Sequence, residues 1–144
     1  MVDATAEKPR MNADERGLSP STSDVNELTE RVIGCAFAVS NALGAGFLEK
    51  VYENALAHEI KKTGLTVQQQ KPVEVTYDGA VVGTYVIDLL IDHRLVLELK
   101  AVKHIDENQV AQTINYLRAT GHHVGLILNF AKPKLEIKRL VHRL

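Results

Sequence analysis

The chain has 144 residues, 45% of them hydrophobic and 24% charged, with a formal net charge of -1. That length supports one domain with its own core and is short for two. The balanced charge excludes a strongly basic chain, and no window approaches the eighteen or more apolar residues of a membrane span. With no apolar stretch near the N-terminus to serve as a signal peptide, the expectation is a soluble, cytoplasmic protein.

Residues 1–23 combine charges, Ser, Pro and small residues without apolar periodicity. They offer too little burial to offset the entropy of ordering, so they are expected to be a disordered tail ahead of a domain over 24–144. From Asp24 the spacing of Val25, Leu28, Val32, Ala36, Val39 and Leu43 predicts a helix, with Asp24 as N-cap and "GAG" at 44–46 as its stop. The single cysteine, Cys35, excludes an intrachain disulfide and is expected as a buried, reduced thiol.

A second helix is expected from about Leu48 to Lys62, ending at Gly64 with Lys61 and Lys62 in the last turn. The period then changes to two. "LTVQQQKPVEVTY" and "AVVGTYVIDLLI" flank the turn "DG" at 78–79, which predicts a hairpin, and "RLVLELKAV" follows after "DHR" as a third strand. A helix from about Glu107 to Thr120, stopped by Gly121, and a buried strand "VGLILNF" come next. The last segment, "KLEIKRLVHRL", reads as either strand or helix. The order is α-α-β-β-β-α-β, an α/β (α+β) pattern with no internal repeat.

Charge is uneven along the chain. From Arg94 onward there are nine Lys/Arg against four Asp/Glu, while residues 1–93 carry eight against fourteen. A basic C-terminal half suits a phosphate backbone, and an ordinary solvated surface equally.

If Asp92–Arg94 is a three-residue loop, Ile91 pairs with Leu95 and Asp88 then faces Glu98 across the ladder. Lys100, two residues on, shares their face. Strict alternation puts Val86, Leu90 and Val96 on that face and Ile87, Leu89, Ile91, Leu95, Leu97 and Leu99 on the other. Both faces are apolar, so the sheet is expected to be covered on both sides and the charges partly buried. Two carboxylates so placed repel unless a cation joins them; Lys100 supplies one charge and a divalent metal would supply the rest. A buried Asp/Glu/Lys salt-bridge network, or a strand end that reaches water, fits the same spacing.

On the second helix, Glu49 projects among Leu48, Val51, Tyr52, Ala55, Leu56 and Ile60, so it is a candidate third carboxylate. Glu53 lies near the edge of that stripe, where a solvated charge beside Lys50 is the simpler reading. On the third helix, Val110, Ile114 and Leu117 form the apolar stripe. Gln109, Gln112 and Tyr116 cluster on the other side, as phosphate-binding groups or as a solvated face. The six histidines form no ligand-like spacing and have no partner cysteine, which argues against zinc. "GAGF" lacks the preceding strand and the Lys-Ser/Thr of a phosphate loop, and there is no nucleophile elbow.

With Glu49, Asp88, Glu98 and Lys100 in this order, the sequence resembles the PD-(D/E)XK nuclease superfamily. Within it, the chain looks like the small bacterial group called the GxxExxY proteins. The motif stands as "GFLEKVY", Gly46 to Tyr52, and the resemblance extends through "VIDLLI", "VLELKAV", "QTINYLRATG", "VGLILNF" and "PKLEIKR", about residues 25–140. It implies a restriction-endonuclease-like α-β-β-β-α-β core with a mixed central sheet flanked by helices and an extra N-terminal helix.

It also implies metal-dependent hydrolysis of phosphodiester bonds in DNA, with RNA left open, or a catalytically silent nucleic-acid- or protein-binding module on the same fold. Carried over, Asp88 and Glu98 would hold Mg²⁺ or Mn²⁺, with the Leu99 carbonyl as a further ligand and Glu49 in the metal shell directly or through water. Lys100 would orient or activate the attacking water, and Gln112 and Tyr116 match a QxxxY-like substrate-binding element. The residue before Asp88 is Ile87 where the superfamily name has proline. The implied partner is nucleic acid; a homodimer supplying extra grip is left open.

Overall fold

A computed structural model of the chain describes residues 22–143; the expected tail lies almost wholly outside the described residues. Three helices and five strands follow in the order α1 (Thr22–Leu43), α2 (Glu49–Lys61), β1 (Val67–Tyr77), β2 (Ala80–Ile91), β3 (Leu95–Lys100), α3 (Glu107–Thr120), β4 (Val124–Asn129) and β5 (Glu136–Val141). The strands form one sheet in sequence order, with β3 and β4 parallel and every other pair antiparallel. The parallel step needs a crossover, and α3 supplies it. This is the mixed, helix-flanked architecture expected from the sequence, with α1 added in front of the α-β-β-β-α-β core. The C-terminal segment, open between strand and helix in the sequence, is strand β5.

Local chemistry explains the boundaries. Asp106 caps α3 by accepting the Gln109 N–H at 2.8 Å while the Gln109 side chain accepts the Asp106 N–H at 3.1 Å, and Gly121 closes the helix in the left-handed region at φ 78°. Gln109 is therefore part of the cap and not of a ligand-binding trio. The hairpin tip Asp78–Gly79 has φ 54° and 80°, the paired left-handed residues that a tight turn between twisted strands requires. Asp24 is not an N-cap, because α1 starts at Thr22; it stands in the first turn, where its charge suits the helix dipole.

The sheet is covered on both sides, as the apolar faces required. Under α1 and α2 lie Leu28, Val32, Ala36, Val39, Tyr52, Leu56 and Ile60, packed on Leu89, Ile91, Leu95, Leu97, Leu99, Leu126 and Leu128. Cys35 joins this core as a free thiol whose burial pushes its pKa up. Under α3 lie Ile87, Leu90, Val96, Leu117, Ile127 and Leu140. A side chain at Gly125 would meet Leu117 and the Val96 carbonyl oxygen at 3.4 Å, so α3 sits tight on β4 there.

One expectation about the faces is overturned. Ile87 does not share a face with Leu89 and Ile91; it packs under α3 with Leu90 and Val96, and Val86 is exposed. The cause is a local break. The β1–β2 ladder pairs Gln69 with Leu89 and Lys71 with Ile87 but leaves Gln70 and Asp88 unpaired, and Gln70 has φ 52°. Both strands roll over at that point: Val67 packs toward α1 and α2, and Val73, of the same parity, packs toward α3. Such a break re-aims side chains, and the one it re-aims here is Asp88.

Candidate active site

Asp88 stands where two ladders lose their regularity. The β2–β3 pairing runs Ile91 to Leu95, Leu90 to Val96 and Leu89 to Leu97, then ends; continuing it would set Asp88 opposite Glu98, as the loop count predicted. In place of a backbone carbonyl, the Asp88 Oδ2 accepts the Leu99 N–H at 2.9 Å. The Gln70 side-chain amide donates to Oδ1 at 3.3 Å. Asp88 thus has two donors, yet burial outweighs them and raises its pKa.

Glu98 is 7% exposed and lies on the α3 side of the sheet. The Tyr85 hydroxyl donates to its Oε2, and the Tyr85 ring stacks on Tyr116 of α3 with centroids 3.5 Å apart. Burial first and the Asp88 charge second push the Glu98 carboxyl up to about 8. Burial and the Glu98 charge also raise the Tyr85 phenol, which stays a donor. Lys100 is half-buried beside them. Among the described residues it forms no ion pair with either carboxylate, and it acts on both through space. The trio is therefore not joined by a direct ion pair among the described residues.

Helix α2 supplies the next group, and here the sequence expectation is corrected. The buried stripe is Tyr52, Glu53, Leu56, Ala57 and Ile60, while Leu48, Glu49 and Val51 are exposed. Glu49 is the first residue of the helix and is exposed; Glu53, one turn later, is buried at 4% exposure. Glu53 is not a solvated charge. Lys50 pairs with it at 3.2 Å, and the amides of Gln69 and Gln70 donate to it at 2.7 and 2.9 Å. Glu49 has a different hold, accepting the Ala101 N–H at 3.1 Å just beyond Lys100.

The "GFLEKVY" motif has a local rationale. Gly46 takes φ 114°, closed to most L-residues, and the fully buried Tyr52 ties the turn by accepting the Phe47 N–H at 3.2 Å and donating to the Gly44 carbonyl. Its ring stacks on Phe130 at 4.7 Å, beyond β4. Behind Lys100, the fully buried Asn129 accepts from Val102 N–H and donates to the Val102 carbonyl, which fixes the loop after β3. The Phe130 N–H donates to the Lys100 carbonyl at 3.0 Å.

Asp88, Glu98, Lys100 and, through Gln70, Glu53 are brought together. Glu49 stays at the rim and Gln112 is exposed on α3, one turn before Tyr116. Sequence reasoning missed Tyr85, Gln69 and Gln70. Tyr85 has the opposite parity to Glu98 on an unbroken ladder, and no residue type at 70 announces the break.

The donor set is two carboxylates that burial and mutual repulsion leave short of positive charge, with no cysteine or histidine. That fits a hard divalent cation such as Mg²⁺ or Mn²⁺, which takes oxygen ligands and commonly only one or two carboxylates. Among the described residues no three Asp, Glu, His or Cys side chains gather closely enough to hold a metal by themselves.

Residues 26–140 match the family profile of the PD-(D/E)XK nuclease superfamily, and the chain belongs to it. Its sheet and flanking helices are of the restriction-endonuclease-like kind. No curated protein and no solved structure matches the chain. No helix among the described residues is long and apolar enough to cross a membrane.

Proposed function

We propose that this protein is a divalent-metal-dependent nuclease that hydrolyses phosphodiester bonds, with DNA as the foremost substrate. The observation that carries the reading is the convergence of Asp88 and Glu98 where the β2–β3 ladder ends, with Lys100 beside both and paired to neither. Asp88 and Glu98 are the metal ligands, joined by the Leu99 carbonyl and one α2 carboxylate, Glu49 or Glu53.

Bound Mg²⁺ or Mn²⁺ would polarise the phosphoryl group and lower the pKa of a coordinated water. Lys100 holds the attacking water and offsets phosphate charge. The Leu99 N–H fixes Asp88, and the Tyr85 hydroxyl fixes Glu98, so both carboxylates are oriented before substrate arrives. Gln112 and Tyr116 contact the substrate strand from α3. In the same reading the chain is a cytoplasmic bacterial protein of the GxxExxY group, and a second copy adds grip on the nucleic acid.

The test is cleavage of labelled single-stranded, duplex and branched DNA with Mg²⁺ or Mn²⁺, comparing wild type with Asp88→Asn and Lys100→Ala. Activity in wild type alone supports the proposal; equal activity in all three identifies a contaminant and sinks it.

A second reading is a catalytically silent binding module. It is favoured by one feature: the hydrogen bonds from Tyr85 and Gln70 already serve the two carboxylates. Calorimetry separates the readings, since nucleic-acid binding without uptake of Mn²⁺ would select the silent module.

A further inference from the structure

Gln70 is the least expected member of the site. A non-glycine residue at φ 52° is uncommon, and it costs on the order of 1 kcal/mol or more unless something holds it there. What holds it is its side chain. The Nε2 amide donates to Glu53 Oε1 at 2.9 Å and to Asp88 Oδ1 at 3.3 Å, so one NH₂ group lies between two carboxylates from different elements. An amide nitrogen carries two N–H donors, the neutral equivalent of a cation shared by two anions.

Glu53 and Asp88 would hold a Mg²⁺ or Mn²⁺ ion through the carboxylate oxygens that the amide now serves, because a hard cation takes such oxygens as direct ligands. The amide and the ion cannot both occupy that place. Gln70 itself is exposed, so its side chain has room to swing into solvent on rotation about its own bonds.

We propose that Gln70 is a built-in competitor for the divalent cation. In the metal-free protein its amide bridges Glu53 and Asp88. Metal binding expels it, and the freed Glu53 becomes the helix ligand beside Asp88. This rests on the metal-dependent reading above and deepens it by choosing Glu53 over Glu49. Gln69, which donates to Glu53 at 2.7 Å from the neighbouring position, keeps that carboxylate in place when Gln70 leaves.

The role has a sign that simple positioning does not share. A residue that only orients Asp88 would, when removed, weaken metal binding; a competitor, when removed, strengthens it. Gln70→Gly is the suitable variant, because glycine accepts the left-handed backbone and removes only the amide. Mn²⁺ affinity would be measured by calorimetry and by loss of the free-ion paramagnetic resonance signal, without nucleic acid and without reference to cleavage.

Gln70→Gly is expected to bind Mn²⁺ roughly three- to tenfold more tightly than wild type, the scale of one or two exchanged hydrogen bonds to charged groups. Glu53→Gln is expected to bind it about tenfold or more weakly, while Glu49→Gln changes it less than twofold. Equal or weaker binding by Gln70→Gly, with wild type binding normally, overturns the competitor and leaves the nuclease reading standing. No Mn²⁺ binding by folded wild type overturns both. Should Gln70→Gly fail to fold, Gln70→Met, which keeps length and loses the donors, gives the same comparison, and tighter binding again supports the proposal.

Discussion

The two carboxylates of the site sit in contrasting surroundings. Asp88, at the break between ladders, has a backbone N–H and an amide aimed at it and looks toward α2. Glu98 sits in a regular, buried strand on the α3 side, where the Tyr85 phenol and the Asp88 backbone favour its charged form and the Asp88 carboxylate opposes it. Burial raises both carboxyls; the donors to Asp88 partly offset that rise, and Glu98 is pushed up to about 8. One site therefore contains a ligand already oriented and a ligand that must lose a proton before it can bind a cation.

Removing the oriented member should have the largest effect. Asp88→Asn keeps the shape and loses the charge, and cleavage is expected to fall on the order of 10³-fold, read as initial rate at saturating Mg²⁺. Lys100→Ala should follow, at roughly 10²–10⁴-fold in rate, with Mn²⁺ affinity nearly unchanged because Lys100 binds no metal. A parallel loss of Mn²⁺ affinity would show that Lys100 supports the carboxylates instead of the water.

The buried member gives a pH test. An unfolded glutamate loses its proton near pH 4.5, and Glu98 keeps it up to about 8. The folded protein thus binds more protons across that window. Metal-free stability should fall as pH rises from 4.5 to 8 and level off beyond, by a few kcal/mol at about 1.4 kcal/mol per unit. Mn²⁺ affinity should rise over the same range, because the bound carboxylate must be ionised. Glu98→Gln should flatten the stability slope and leave the metal-free protein more stable than wild type at pH 8. Denaturant melts at several pH values measure both; a slope that Glu98→Gln leaves unchanged would show that Glu98 is ionised throughout.

Smaller effects sharpen the picture. Tyr85→Phe removes the hydroxyl and keeps the ring stacked on Tyr116, at a cost of about 1 kcal/mol, and the Glu98 titration should move further upward. Gln112→Ala, on an exposed helix face, should leave the melting point within about 1 °C and weaken DNA binding no more than severalfold.

Much of the fold was legible because the chain carries its own punctuation. Gly121 stops α3 where the periodicity stops, Asp78–Gly79 turns the hairpin, and the three residues Asp92–Arg94 fix the register that pairs Ile91 with Leu95. What the sequence hid was a rotation. Alternation carried through Asp88 put Ile87 with Leu89 and Tyr85 away from Glu98. Gln70, in a conformation its residue type does not advertise, rolls the hairpin and reverses both assignments. The helical wheel placed Glu49 within the apolar stripe of α2 and Glu53 at its edge, and the structure reverses the two. Periodicity alone could not tell that the first turn of the helix reaches solvent while the next is buried, which leaves the first carboxylate exposed and the second enclosed.

The most direct test of a metal site at Asp88 and Glu98 is anomalous scattering from crystals soaked in millimolar Mn²⁺. One strong peak is expected at ordinary metal–oxygen distance, about 2.2 Å, from carboxylate oxygens of both Asp88 and Glu98, with the Gln70 amide displaced. A fully soaked crystal with no peak there, and with Tyr85 and Gln70 still bonded to the two carboxylates, would contradict it.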